Sequence, residues 1–307
     1  MQLRIATRES RLALWQANWV RSKILSKSPE LDVQLVPMTT EGDQRLDRSL
    51  ADIGGKGLFI KELEQALLDH RADLAVHSMK DLTTEFPPSL ELSVITERDD
   101  PNDALVSNQY HSLNKLPDGA VIGTSSLRRM SQLRHSFPNL KIKNLRGNLD
   151  TRLRKLDDGE YDAIILAVAG LKRLGLQERI AQVIPHSVML PAIAQGVIGI
   201  ETRSGDQDTL KWIQQLRHTK TERELICERT VLSGLSGNCH VPISGFCVEK
   251  NGKLHLEARI GDPDGTELLV ARGTRLLEEP EKLGEEVTNQ LIKQGADKIL
   301  KEFRSLL

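Results

Sequence analysis

A cysteine stands among small and turn-forming residues in the stretch Leu235–Pro242, whose sequence is LSGNCHVP. Ser, Gly and Asn favour turns, so this stretch is predicted to be a loop that exposes Cys239. An accessible thiol can act as a nucleophile through its thiolate, or it can be the permanent attachment point of a cofactor. An incidental small residue in a turn is an equally good interpretation of a lone cysteine.

A second candidate for chemistry is Asp81, which follows the buried-type strand pattern of residues 73–76. The carboxyl end of a parallel strand is where α/β proteins bind ligands. Positive charges nearby, beginning with Lys80, favour the ionised carboxylate, which can stabilise a cation and shuttle its proton. Capping of a following helix is the competing role, and the sequence leaves both open. The neighbouring His77 is interpreted as structural.

Positively charged side chains recur just after predicted strands or in the first turns of the helices that follow. Each one alone is an ordinary solvated residue. Their coincidence at one edge of the predicted sheets indicates a ligand with several anionic groups, because arginine binds carboxylates and phosphates through a planar fork. The turn Thr124-Ser125-Ser126 adds hydroxyls and free N–H groups at a predicted helix start. The charged residues are Arg8, Lys56, Lys80, Arg128, Arg129, Arg146, Arg152 and Arg173.

Two familiar catalytic motifs are excluded by single positions. The cluster Gly54–Gly57 has glycine where a nucleotide-binding loop needs Ser or Thr after its lysine, and the leading glycine spacing is absent. The run Gly123–Leu127 fails as a serine elbow, because Leu127 stands where the second glycine belongs.

The composition is that of an ordinary globular protein, with 39% hydrophobic and 28% charged residues. A formal net charge of −1 and only 3% aromatic residues argue against nucleic acid and anionic membranes as partners. The run Met1–Thr7 lacks the apolar stretch of a signal peptide, and no run has transmembrane length, so a cytoplasmic location is expected. Cys227 and Cys247 are predicted core residues, and the cysteine spacing indicates neither a metal site nor a disulfide framework.

A chain of 307 residues is predicted to form two or three domains, since single cores rarely grow past about 250 residues. Alternating strand and helix patterns predict two α/β lobes, 1–98 with 197–217 and 99–196, joined by double crossings that would make a hinged cleft. Residues 218–307 are predicted to form a small α+β domain that presents Cys239. It has a hairpin at Asn251-Gly252 and a closing helix Pro280–Phe303.

Several ordered stretches carry a resemblance to one family: Arg4–Ser10, Gly54–Phe59, Ala75–Asp81, Gly123–Arg129, Leu145–Asn148, Asp162–Leu171 and Gly237–Pro242. Along essentially its whole length the chain resembles the porphobilinogen deaminases, also called hydroxymethylbilane synthases. The resemblance implies a transferase that condenses four porphobilinogen molecules head to tail into the linear tetrapyrrole hydroxymethylbilane, with release of ammonia, in porphyrin and haem biosynthesis. It also implies a cytoplasmic monomer whose two lobes resemble type II periplasmic binding proteins.

The resemblance assigns roles to individual residues. Cys239 would carry a dipyrromethane cofactor through a thioether, and Asp81 would assist the loss of ammonia and the deprotonation after each coupling. The implied cofactor-binding residues are Cys239, Lys80, Asp81, Thr124, Ser125, Ser126, Arg128, Arg129, Arg146 and Gly147. The implied substrate-binding residues are Arg8, Ser10, Gln16, Lys56, Arg146, Arg152, Arg173 and Gln195.

Two other functions are compatible with parts of the sequence. A two-lobed solute-binding module would explain the cleft and the arginines, but it would not explain Cys239. An acyl transferase with a cysteine nucleophile would need a histidine paired with Cys239. His240 is adjacent in sequence, where neighbouring side chains in a loop often diverge.

Overall fold

A computed structural model describes residues 2–44, 60–235 and 241–305. Cys239 and Lys56 lie outside these ranges. The strands are β1 (Gln2–Arg8), β2 (Asp32–Met38), β3 (Leu74–Ser78), β4 (Leu90–Ile95), β5 (Asp103–Val106), β6 (Val121–Gly123), β7 (Lys141–Lys143), β8 (Ala163–Ala167), β9 (Ile180–Val183), β10 (Ile198–Arg203), β11 (Ile243–Lys250), β12 (Lys253–Gly261) and β13 (Leu268–Leu276). The helices are α1 (Arg11–Leu25), α2 (Glu41–Gln44), α3 (Lys61–Leu68), α4 (Leu127–Ser136), α5 (Leu149–Asp157), α6 (Val168–Arg173), α7 (Gln207–Ile213), α8 (Thr219–Leu235), α9 (Pro280–Gln294) and α10 (Ala296–Ser305).

The first compact unit is Met1–Asp99 with Val197–Glu222. Its sheet has the order β2-β1-β3-β10-β4, in which β1 pairs in parallel with β2 and β3, while β10 is antiparallel to both neighbours. Helix α1 packs Ala17, Val20 and Ile24 against this sheet, because a spacing of three and four residues places them on one helix face. All three are fully buried, and burial of Val20 and Ile24 contributes about 1.5–3 kcal/mol each.

The second unit is Asp100–Gly196 with Arg223–Leu307. Its larger sheet repeats the arrangement with the order β7-β6-β8-β5-β9, in which β6 is parallel to β7 and β8, and β5 is antiparallel to β8 and β9. The predicted pair of α/β lobes is therefore confirmed. The division of this unit into domains 99–196 and 218–307 stays a prediction.

Strands β11, β12 and β13 form an antiparallel sheet in the same unit. The predicted hairpin lies between β11 and β12, where Asn251 and Gly252 both have positive φ, 52° and 71°, as a tight hairpin turn requires. Helix α8 covers the outer edge of β11, because Glu224 and Glu228 accept hydrogen bonds from the backbone N–H groups of Glu249 and Cys247 at 3.0 and 2.9 Å. These carboxylates take the place of a further strand.

Two parts of the fold differ from the sequence prediction. The closing segment is not one helix, because Gly295 adopts φ 105° and separates α9 from α10. Strands β5 and β9 occupy segments for which no strand was predicted. In the described ranges no helix has the length and apolar content needed to cross a membrane.

Candidate active site

One edge of the first sheet gathers three predicted site residues. Strands β1 and β3 are parallel neighbours, with Ile5 opposite Leu74, so their carboxyl ends lie side by side. Arg8 is the last residue of β1. Lys80 and Asp81 belong to a single 3-10 turn, Met79–Asp81, that directly follows β3. The predicted position of Asp81 at the carboxyl end of a strand is thus confirmed.

The turn that carries Asp81 is fixed by Met79, which is 1% exposed. The Met79 backbone N–H donates a 3.0 Å hydrogen bond to the carbonyl of Val197. Its side chain fills the space next to Gly199, where a Cβ atom would lie 2.2 Å from the Met79 Sδ. Because residue 199 is glycine, the Met79 side chain can pack against β10. This packing fixes the turn that carries Asp81.

The side chain of Asp81 is exposed. Within the described ranges its carboxylate has neither a hydrogen bond nor an ion pair. Residues 82–89 are described and form no helix, so the helix-capping interpretation is wrong. An exposed carboxylate without a competing intramolecular partner is available to a bound molecule, which is what acid–base chemistry needs.

Two predicted substrate residues lie on α1. Ser10 is the N-cap, and its Oγ accepts a hydrogen bond from the Ala13 N–H at 3.4 Å. Gln16 is 3% exposed, and its Nε2 has no hydrogen-bond acceptor among the residues that the structure describes. A buried amide donor without an acceptor is costly, so Gln16 fits a position where a ligand oxygen completes the bonding.

His77 is buried and bonds to Glu201, with His77 Nε2 and Glu201 Oε2 at 2.8 Å. Both residues lie within the first sheet, on β3 and β10. Burial, together with the charge of Glu201, raises the pKa of the nearby Glu64 carboxyl. The bond to a buried carboxylate occupies the imidazole inside the unit, so the structural interpretation of His77 is confirmed.

The second unit repeats the sheet-edge arrangement. Strands β6 and β7 are parallel neighbours, so Thr124, Ser125 and Ser126 lie at the same edge as the segment that follows β7. Ser125 Oγ donates a 2.6 Å hydrogen bond to the carbonyl of Leu145 and links the two segments directly. Ser126 is the N-cap of α4, but its hydroxyl makes no capping hydrogen bond. The first N–H groups of α4 are thus left without a side-chain cap, as an anion site requires.

The segment after β7 carries Arg146, Gly147 and Arg152. Gly147 has φ 112°, and a Cβ atom there would lie 2.6 Å from Thr151 Cγ2, so only glycine fits. The Gly147 carbonyl accepts a 2.8 Å hydrogen bond from Arg152 Nε, which orients that guanidinium. Arg146 and Arg152 are both half-buried. The Ser125–Leu145 hydrogen bond therefore joins the segment that carries both arginines to the turn before α4.

Arg128 and Arg129 share one buried carboxylate. Asp103 is fully buried, and its oxygens accept hydrogen bonds from Arg128 Nη1 and Arg129 Nη2, each at 2.7 Å. Burial alone would raise the pKa of Asp103, but the charges and hydrogen bonds of the two arginines outweigh it and hold that pKa well below its ordinary value. Two guanidinium groups on one carboxylate leave a net positive charge at this position.

Gln195 and Arg173 also contact backbone near the arginine pair. Gln195 Nε2 donates to Asp103 Oδ1 at 3.1 Å and to the Pro101 carbonyl at 2.6 Å. Arg173 is 8% exposed and donates from Nη2 to the Gly196 carbonyl at 2.7 Å. Within the second unit, the structure thus gathers Arg128, Arg129 and Gln195 around Asp103. Their roles as ligand contacts stay predictions.

Sequence analysis does not identify Asp103 as a site residue. The signal was the short apolar run Ala104-Leu105-Val106 directly after it. Asp103 is the first residue of β5, and its arginine partners lie 25 and 26 positions further along the chain. Only the pairing of β5 between β8 and β9 brings the carboxylate to them.

We expect Asp103→Asn to lower the free energy of unfolding by about 3–5 kcal/mol, because it leaves two buried guanidinium groups without their anion. The pKa of Asp103 is depressed in the folded protein. Its stabilisation is therefore present above the ordinary aspartate pKa of about 4, and it is lost as the pH falls below that value. Urea unfolding measured across this pH range should show that the free energy of unfolding falls less on acidification in the variant than in wild type.

The matched control is Asp157→Asn, which removes an exposed ion pair with Arg179 in the same unit. Exposed pairs contribute about 1 kcal/mol or less. Equal losses in the two variants would contradict the special role assigned to the buried carboxylate.

Two models of one protein family match the sequence of this chain. Residues 3–211 match the model described as "Porphobilinogen deaminase, dipyromethane cofactor binding domain". Residues 223–293 match the model described as "Porphobilinogen deaminase, C-terminal domain". The two matches together span nearly the whole chain.

The similar solved structures share little sequence identity with this chain. A methionine-binding protein shares 17% identity, with 69% of this chain and 89% of that chain covered and a TM-score of 0.45. The lipoprotein Tp32 of Treponema pallidum shares 14%, with 70% and 90% covered and a TM-score of 0.44. The periplasmic VFT2 domain of Bordetella pertussis BvgS shares 14%, with 70% and 86% covered and a TM-score of 0.43. At such distances the fold assignment depends on the strand orders and the family matches.

Proposed function

Since the chain belongs to the porphobilinogen deaminase family, we propose that Asp81 is its acid–base and that its arginines hold the carboxylates of substrate and cofactor. The enzyme is a transferase that condenses four porphobilinogen molecules into the linear tetrapyrrole hydroxymethylbilane and releases ammonia. The observation that carries the assignment of Asp81 is its exposed carboxylate, which has no partner within the described ranges and follows β3 at the sheet edge that also carries Arg8. The family match supports neither a solute-binding module nor an acyl transferase.

The donor set of the second unit fits the dipyrromethane cofactor of the family. That group carries acetate and propionate side chains, and the uncapped start of α4, the hydroxyls of Thr124–Ser126 and the Arg128–Arg129 pair are donors suited to carboxylates. Cys239 would hold it through a thioether. When bound, the dipyrromethane supplies the terminal pyrrole position to which porphobilinogen units are added.

The proposed role of Asp81 follows from its charge and exposure. As ammonia leaves porphobilinogen, positive charge develops on the substrate, and a nearby carboxylate stabilises it. After coupling, the same carboxylate accepts the proton that leaves the attacking pyrrole from the carbon at which the new bond has formed. Met79, held by β10, keeps the Asp81 turn in place during both steps.

The single experiment that tests the function is an intact-mass measurement on the purified protein, followed by addition of porphobilinogen. The protein should exceed its polypeptide mass by two pyrrole units. It should release ammonia and form hydroxymethylbilane when substrate is added. An unmodified mass together with no product would overturn the proposal.

The arginines should differ in the step at which they act. Each porphobilinogen adds carboxylates, so the bound chain becomes more anionic and needs more cations as it grows. Arg8 lies at the edge that carries Asp81, whereas Arg152 lies on α5 in the second unit. We therefore expect Arg8→Ala to stop before the first addition, and Arg152→Ala to accumulate enzyme carrying only some of the added units.

Native mass spectrometry after brief exposure to substrate would resolve these species. Arg154→Ala is the matched control, because Arg154 is an exposed arginine on the same helix as Arg152. It should give the wild-type distribution. Identical distributions for Arg8→Ala and Arg152→Ala would mean that the arginines act as one pooled charge.

We also propose that the enzyme works as a cytoplasmic monomer, with porphobilinogen as its partner and without nucleic acid or membrane partners. The near balance of acidic and basic residues, with a formal net charge of −1, supports the absence of nucleic-acid and anionic-membrane partners. Sedimentation of the holoenzyme over a range of concentrations measures the oligomeric state, and a concentration-dependent dimer would overturn the monomer.

A further inference from the structure

The segment Ala192–Gly196, which ends where the chain leaves the second unit, contains a backbone conformation that needs external support. Ala194 has φ 61° and is 1% exposed. A residue with a Cβ atom avoids this left-handed region, and it persists there only where surrounding contacts enforce it. Gly196, two residues later, also has positive φ, but glycine adopts it without strain. Ala194 is therefore the strained position of the segment.

The contact that enforces this conformation comes from Glu228 on α8. The Glu228 carboxylate is fully buried, and its Oε2 accepts a 2.7 Å hydrogen bond from the Ala194 N–H. Its Oε1 accepts a 2.9 Å hydrogen bond from the Cys247 N–H on β11. Charge-assisted hydrogen bonds in a buried place are among the stronger ones in proteins. One carboxylate thus joins the strained segment to the small antiparallel sheet.

From Ala194 the hydrogen bonds continue to the arginine pair. The next residue, Gln195, is 1% exposed and donates to Asp103, which in turn binds Arg128 and Arg129. Each side chain along this path is almost completely buried, so water does not compete for these hydrogen bonds. The direction of the Gln195 side chain depends on the backbone conformation of Ala194. That conformation is held by the hydrogen bond from the Ala194 N–H to Glu228.

We propose that Glu228 is a positioning residue for the Arg128–Arg129 pair. It holds Ala194 in the left-handed conformation, and so directs the Gln195 amide onto Asp103 and fixes the carboxylate that orients both guanidinium groups. This inference rests on the proposed role of the two arginines in binding carboxylates. Helix α8, which carries Glu228, also precedes Cys239 in the sequence.

The test uses the holoenzyme and a second-site rescue. In Glu228→Gln the amide nitrogen can no longer accept, so one backbone N–H loses its partner. We expect the KM for porphobilinogen to rise about tenfold while the variant stays folded. Adding Ala194→Gly should bring the KM back to within about threefold of wild type, because glycine adopts φ 61° without the support of Glu228.

The matched control is Ala192→Gly on the Glu228→Gln background, since Ala192 lies in the same segment without positive φ. It should leave the KM raised. A wild-type KM in Glu228→Gln, or equal rescue by the two glycines, would overturn the proposal, because a general packing role does not distinguish positions 192 and 194. If Glu228→Gln does not fold, Glu228→Asp keeps the buried charge on a shorter arm, and the same pair of glycine variants applies.

Two reference measurements separate this proposal from those it rests on. Wild-type enzyme that forms no hydroxymethylbilane would refute the assigned function itself. An Arg129→Lys variant with an unchanged KM would refute the carboxylate-binding role of the arginine pair, and the positioning role with it. A raised KM in Arg129→Lys together with selective rescue by Ala194→Gly supports both.

Discussion

Cys239→Ser should yield a folded protein that carries no dipyrromethane and forms almost no hydroxymethylbilane. The family to which the chain belongs uses a covalently held dipyrromethane, and Cys239 lies in the one stretch whose sequence predicts an exposed thiol. A serine oxygen is a far weaker nucleophile than a thiolate, so the bond that anchors the cofactor does not form. Intact mass and product formation are measured on the same preparation. An unmodified mass with full activity would contradict the assignment.

The other two cysteines are the matched controls, because both Cys227 and Cys247 are buried with 0% exposure. The hydrogen bond with Cys227, together with burial, raises the pKa of the Cys247 thiol far above its ordinary value, so that thiol does not ionise at neutral pH. Cys227→Ser and Cys247→Ser should keep the dipyrromethane mass and most of the activity. Each should lose about 1–3 kcal/mol of stability, because a hydroxyl is less well accommodated in an apolar site. Loss of the adduct in either control would indicate that the substituted cysteine, and not Cys239, is the attachment point.

Local patterns predicted the elements that depend on neighbouring residues. The alternating strand and helix patterns are found as two five-stranded α/β sheets, and the Asn251-Gly252 turn is found with the two positive φ angles of a hairpin. Strand ends could be placed because alternating strands and helices fix a parallel sheet, which brings the carboxyl ends to one edge. That is why Asp81 was found at the edge that carries Arg8.

Features set by distant residues could not be predicted in the same way. Strand β5 has four residues and begins with a charged one, and its apolar run Ala104-Leu105-Val106 is too short for periodicity to identify a strand. Its place is decided by pairing with β8 and β9, and with it the contact of Asp103 with both arginines. The sequence therefore predicted Arg128 and Arg129 as ligand residues without predicting that they share a buried carboxylate.

Asp81→Asn should slow turnover by about a hundredfold or more, within the usual effect of removing a positioned acid–base. The substitution keeps the shape of the side chain but removes its charge and its capacity to accept a proton. Because Asp81 is exposed and makes no hydrogen bond or ion pair within the described ranges, its loss should leave the free energy of unfolding nearly unchanged. The KM should change little, since the arginines remain to capture the carboxylates. Single-turnover release of ammonia measures the affected step directly.

A matched control distinguishes chemistry from a general loss of negative charge. Asp69 is also an exposed aspartate of the first unit, but it lies between α3 and the amino end of β3, whereas Asp81 follows the carboxyl end of that strand. Asp69→Asn should therefore retain wild-type turnover. If both variants turned over at the wild-type rate, Asp81 would be an ordinary exposed residue and the acid–base would have to be another group. If both variants were slowed equally, the effect would come from the net charge of the unit. A role in the chemistry would slow only Asp81→Asn, because only Asp81 follows the carboxyl end of β3.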